Sequence, residues 1–222
     1  MKTHSRSCCA LLISLLVCLQ FTSLASAEAE LVEGRDFLRV PAQPASTREA
    51  LPGRVVEILE FFSYGCSACY EFRPLAAQWI ARLPANTTVE RIPTALGRRE
   101  WQPLVRMYFA LRAAGHYERL DQALFDAIHR DRLPLFDEAA LMAWVAQQGI
   151  DAEAFGKVFH SPGVSERVAW AGRMDKAYTV PSTPTLIIDG QYIVRGATFQ
   201  GRLRIAQQLV DQALRRVASQ GG

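Results

Sequence analysis

The chain has 222 residues, 50% hydrophobic and 21% charged, which excludes a disordered tail or low-complexity array, since such chains lack the apolar side chains to offset ordering entropy. The length suits one domain with a real core, or one fold carrying an insertion. Twenty-five basic residues against 22 acidic give a formal charge of +3 without a basic block, too mild a balance to argue for nucleic acid.

Lys2 and Arg6 precede an uncharged run from Cys8 to Leu19, and Ala25-Ser26-Ala27 gives a small-x-small ending. This is the pattern of a secretory signal peptide over residues 1–27, cut after Ala27. The apolar run falls short of the roughly 20 residues that span a bilayer, so an uncleaved anchor is the weaker alternative. Cys18 raises a lipoprotein site, but bulky Val17 stands where a small residue is needed. Cleavage removes Lys2, Arg6, Cys8, Cys9 and Cys18 and no acidic residue, so the charge falls to +1 and only Cys66 and Cys69 remain. An exported chain enters a compartment where disulfides persist. A bridge between these two closes a ring so short that it restrains the unfolded chain least, which makes it a poor staple. A chemical role is the sharper expectation.

Residues 28–52 are polar, with Pro41, Pro44 and Pro52, and predict an extended lead-in with one short strand near Phe37–Val40. Residues 54–62 are β-branched and aromatic, as in a strand buried on both faces. Phe72, Leu75, Ala76, Trp79, Ile80 and Leu83 then recur at helical spacing from Cys66 onward, with a kink predicted at Pro74. Residues 87–93 alternate as a second strand. From Leu96 to Tyr178 the signals are helical. Leu104, Tyr108 and Leu111 make a stripe ending at Gly115, and Leu120, Leu124, Ala127 and Ile128 make the next. Asp137 and Asp151 are placed as N-caps, Gly149 as a stop, and a further helix is expected from Val164 to Ala177 after the Ser161-Pro162-Gly163 break. Residues 185–189, a turn at Gly190 and residues 191–195 predict a hairpin, followed by an amphipathic helix carrying Leu203, Ala206, Leu209, Val210, Ala213, Leu214 and Val217. The fold class is α/β: a sheet interrupted by an all-helical insertion, with boundaries expected at 28–95, 96–178 and 179–222.

Cys66-Ser67-Ala68-Cys69 follows a buried strand and opens a helix, and that context makes the CxxC informative. A helix N-terminus presents unpaired N–H groups and about half a positive charge, which favour a thiolate. Cys66, nearest that charge, is the expected nucleophile; Cys69, one turn on, is placed to resolve a mixed disulfide. A steadier thiolate is also a better leaving group and makes the disulfide a stronger oxidant. Zinc is the metal alternative, but a half-site needs two more ligands, and no mature cysteine remains to supply them. His116, His129 and His160 are too widely spaced for a second half-site and read as surface or satisfied core residues. No metal or cofactor is expected.

The run Glu60-Phe61-Phe62-Ser63-Tyr64-Gly65-Cys66-x-x-Cys69-Tyr70, with Val180-Pro181-Ser182-Thr183-Pro184-Thr185, resembles the DsbA family of periplasmic thiol:disulfide oxidoreductases. The resemblance implies a thioredoxin fold with a helical domain inserted between the third and fourth strands, and it covers essentially all the mature chain. It implies that Thr183-Pro184 is a cis-proline loop against the CxxC that binds substrate backbone, with Pro181 the competing position and an ordinary trans loop the bland alternative. It implies that Glu60 is a buried acid beneath the active site, moving the proton of Cys69; a strand-end glutamate reaching solvent is the alternative, and Glu57 fits that better. It also implies a soluble monomer that oxidises reduced exported proteins and is itself reoxidised by a DsbB-type inner-membrane partner. Ser67, Ala68 and Tyr64 are expected to edge the substrate site, with Trp101 either there or in the core.

Two departures stand out. Many relatives carry Pro-His between the cysteines, whereas Ala68 offers no donor, so a less acidic Cys66 and a less oxidising disulfide are expected here. Arg73 stands where some relatives have an acid, so the charge network there must differ, with Glu71 either a replacement or merely solvated. The rival readings are a periplasmic reductase, an isomerase (for which the lead-in is too short to form a dimerisation domain), and a non-redox peptide-binding or chaperone module.

Overall fold

The computed structural model describes residues 30–41 and 55–219; the expected leader and most of the Pro-rich lead-in lie outside the described residues. In chain order the elements are β1 (Phe37–Arg39), β2 (Val56–Phe62), α1 (Ser67–Ile80), β3 (Thr87–Pro93), a 3-10 turn (Arg99–Trp101), α2 (Gln102–Ala113), α3 (Tyr117–His129), α4 (Glu138–Gln147), α5 (Ala152–Phe159), α6 (Pro162–Tyr178), β4 (Thr185–Ile188), β5 (Tyr192–Val194) and α7 (Phe199–Ser219). The sheet order is β1-β5-β4-β2-β3. β2 and β3 are parallel, joined through α1, while β2–β4, β4–β5 and β5–β1 are antiparallel. Five helices, α2–α6, thus separate two strands that lie on either side of β2.

Side-chain alternation along β2 divides the apolar residues in two. Val56 and Ile58 join Phe72, Ala76 and Trp79 of α1 and Ala206, Leu209, Val210 and Ala213 of α7. Leu59 and Phe61 join Leu104, Met107 and Tyr108 of α2, Leu124 of α3 and Phe155 of α5. All seven β2 positions except Glu57 are buried, as expected of a central strand.

The helix signals map closely onto the helices. Asp137 accepts from the Ala140 N–H at 2.9 Å, and Asp151 accepts from Glu153 and Ala154 at 2.9 and 3.1 Å; loss of such a cap costs about 1 kcal/mol. One difference has a simple cause. α6 starts at Pro162, earlier than expected, because Ser161 caps the Val164 N–H and a proline in the first turn lacks only an N–H that has no helical partner anyway. α1 carries Pro74 inside its span, Ser67–Ile80.

Candidate active site

The approach to α1 is a turn built on Ser63, whose carbonyl accepts the Cys66 N–H at 3.2 Å and whose hydroxyl accepts the Gly65 N–H at 3.2 Å. Cys66 is extended at the N-cap position with no side-chain cap, and its carbonyl accepts from Cys69 and Tyr70 at 3.0 and 3.1 Å. Its sulfur therefore sits at the open end of the helix, and the first turn holds no acidic residue to oppose a thiolate. Cys66 is half-buried and Cys69 buried, both as thiols. The Cys66 pKa falls from 9.0 to about 5: a hydrogen bond from the Cys69 thiol contributes most, burial opposes it, and Thr183 and the Cys69 and Ala68 N–H groups add to it. Cys69 moves far the other way, first through burial and then through the neighbouring Cys66 sulfur. A low pKa at the mouth is thus reached without any donor in the Ala68 side chain.

β4 brings the second half of the site. Thr185 pairs with Phe61, which sets the preceding loop against the start of α1. The Thr183–Pro184 peptide is cis, and the Thr183 carbonyl accepts from the Cys66 thiol at 3.4 Å. The Thr183 hydroxyl is buried with no partner at full hydrogen-bond geometry among the described residues, yet it lies close enough to favour the thiolate at both sulfurs. Ser182 is exposed and Thr183 half-buried, while Pro184 is buried, so the loop's accessible surface comes from the residues before the proline. Ser67 is exposed and Ala68 half-buried on the opposite rim.

Tyr64 is not on that rim. It is 1% exposed, its ring packed against Phe62 and Phe125, and its hydroxyl donates to Asp121 at 2.7 Å. An aromatic beside glycine before a CxxC suggests a groove edge, but here the apolar neighbours of α3 and a buried acceptor draw it inward. Trp101 is half-buried over Gly65, where an added Cβ would lie 2.5 Å from its indole nitrogen, so only glycine fits.

Glu60 is buried, which removes the solvent-reaching alternative, and parallel register sets it directly opposite Arg91. Arg91 Nε donates to Glu60 at 2.9 Å, and its Nη1 donates to Asp121 at 2.9 Å and to the Tyr117 hydroxyl at 2.6 Å, with the guanidinium 4.1 Å over the Phe62 ring. Arg73 Nε also donates to Asp121, at 2.7 Å. Two carboxylates and two guanidiniums thus balance within one buried cluster. Burial raises the Asp121 pKa, but Arg91 and Arg73 outweigh it and hold the carboxyl below its ordinary range. Arg73, the expected departure, is satisfied by an acid from α3, and Glu71 stays exposed. Arg91, Asp121 and Tyr117 went unread in the sequence, although an arginine inside residues 87–93 and an aspartate between Leu120 and Leu124 are each out of place on apolar surfaces.

A sheet of this topology with a dithiol at a helix mouth and a cis-proline loop facing it defines a thioredoxin-like redox protein. Residues 57–207 match the family described as DSBA-like thioredoxin domain, and the chain belongs to that family. It is 32% identical over 177 residues to the thiol:disulfide interchange protein DsbA of Bordetella pertussis, covering 78% of this chain and 81% of that one. It is 31% identical over 186 residues to the DsbA of Burkholderia cepacia, covering 83% and 84%. Among solved structures, Pseudomonas aeruginosa DsbA superimposes with a TM-score of 0.76 at 26% identity over 86% of this chain and 97% of that one. Xylella fastidiosa DsbA gives 0.73 at 28% identity over 82% and 97%.

Proposed function

We propose that this chain introduces disulfide bonds into exported proteins by donating a Cys66–Cys69 disulfide. The carrying observation is the split between a half-buried Cys66 with a pKa of about 5 and a buried Cys69 pushed upward, facing the Thr183–Pro184 loop. A substrate thiolate attacks Cys66; a substrate–Cys66 bond forms, the Cys66–Cys69 bond breaks, and Cys69 leaves with the electron pair and takes up a proton. A second substrate thiolate then attacks the substrate sulfur of the mixed disulfide, and Cys66 departs as its stabilised thiolate. The substrate loses two electrons and the enzyme dithiol holds them. Because leaving ability follows thiolate stability, the low Cys66 pKa supports oxidation over reduction.

Thr183 and Ser182 are the loop residues offered to a bound chain, with Ser67 and Ala68 opposite. Glu60 moves the Cys69 proton in this reading, its carboxylate held by Arg91 on the strand beside it. Residues 1–27 direct export to the periplasm and are cut near Ala27; among the described residues no helix is long and apolar enough to cross a membrane. The mature chain works as a monomer reoxidised by a DsbB-type membrane partner, which supplies the oxidising equivalents. Oxidative refolding of a reduced test protein by the wild type and Cys66→Ala tests the reaction: activity is expected to vanish in the variant, and equal activity would favour a non-redox binding module. The equilibrium with glutathione separates oxidant from reductase.

A further inference from the structure

Tyr64 stands two residues before Cys66 and is held from the inserted helices at three points. Tyr117, Asp121, Phe125 and His129 recur every fourth residue along α3, so they line one face. Asp121 accepts from the Tyr64 hydroxyl at 2.7 Å, the Phe125 ring lies 4.7 Å from the Tyr64 ring, and His129 Nε2 is 2.7 Å from the Tyr64 carbonyl oxygen. A carbonyl only accepts, so Nε2 carries the proton and donates. The His129 ring is itself fixed by stacking on Tyr70, at 5.2 Å and 20°, immediately after Cys69. Both ends of the CxxC segment therefore touch the same helix face.

We propose that this α3 face positions the redox centre: Asp121 and His129 hold Tyr64 by its hydroxyl and its carbonyl, and so fix Cys66 at the mouth of α1. Only Gly65 intervenes between the clamped residue and the nucleophile. The groups that favour the Cys66 thiolate, namely the Cys69 thiol, Thr183 and the Cys69 and Ala68 N–H groups, act over hydrogen-bond distances and fade if the sulfur wanders. Asp121 and His129 are positioning residues; neither bonds a sulfur. The helical insertion thereby helps to set how strongly the dithiol form is favoured.

The test uses the full mature chain and reads thiolate ultraviolet absorbance against pH together with the equilibrium with glutathione. Tyr64→Phe keeps the ring in its cluster and removes only the hydroxyl; His129→Ala removes the carbonyl's donor; His129→Gln returns an N–H donor. Tyr64→Phe and His129→Ala are each expected to raise the apparent Cys66 pKa and shift the glutathione equilibrium toward the protein disulfide by about twofold to tenfold, the range one hydrogen bond carries. His129→Gln recovers most of the wild-type value. Folded Tyr64→Phe and His129→Ala proteins with wild-type titration and equilibrium would overturn the proposal, as would a Gln variant no better than Ala. The inference rests on Cys66 being the functional thiolate; a wild type without any titrating thiolate would sink that reading, whereas identical titrations in all variants sink the positioning alone.

Discussion

Two buried polar places lie close together in this molecule and are built on opposite terms. In the ion cluster under β2, Glu60, Arg91, Asp121, Arg73, Tyr64 and Tyr117 satisfy one another, with only Arg91 Nη2 lacking a partner among the described residues. At the dithiol, the Thr183 hydroxyl is left unpaired, and one sulfur is driven toward its charged form while the other is held neutral. The first arrangement fixes a geometry; the second keeps a chemical potential in reserve. A reactive centre that were equally satisfied would have no reason to exchange partners.

The largest test of this contrast is Asp121→Ala. It leaves Glu60 alone against two guanidiniums, with Arg73 stripped of its acid, in a site where the Asp121 side chain is 4% exposed, so urea unfolding should show a loss of about 3–5 kcal/mol. A loss below about 1 kcal/mol, the value usual for exposed pairs, would erase the distinction.

Next in size is the pH dependence of the reduced protein. The Cys66 pKa is depressed from 9.0 to about 5 in the folded dithiol. A depressed pKa adds stability that is complete above the unfolded value and is lost as pH falls through the folded one. The stability of the reduced form should therefore fall relative to the disulfide form as pH is lowered from about 9 to about 5, and Cys66→Ser, which has no thiol to titrate there, should show the shallow slope of the disulfide form. Cys69, shifted upward, stays protonated across this window and leaves the sign unchanged. The smallest effect belongs to Thr183→Val. Removing an unpaired buried hydroxyl should leave the melting temperature level or slightly higher while the thiolate titration moves up; a marked loss of stability would show that the hydroxyl is paired after all.

The contrast also explains what the sequence disclosed. Local signals carried far: the alternation of β2, the aspartates at 137 and 151, and the CxxC at a helix start all act within a few residues, so their spacing is their cause. The cluster is nonlocal. Arg91 meets Glu60 only once parallel register is known, and Asp121 meets Arg73 and Tyr64 only once α3 lies across α1. The sequence points Tyr64 to the groove for the same reason, since nothing near it in the chain reveals the acceptor waiting on α3.

The contact between the Cys66 sulfur and Thr183 spans 117 positions of sequence, because β4 takes its place beside β2 only after five helices have intervened. A chain made from its N-terminus therefore carries both thiols long before the residues that complete their surroundings have been added. A truncation ending between α1 and Thr183 keeps the dithiol motif but lacks the loop that faces it. The dithiol's surroundings are complete only with the strands that follow the helical block.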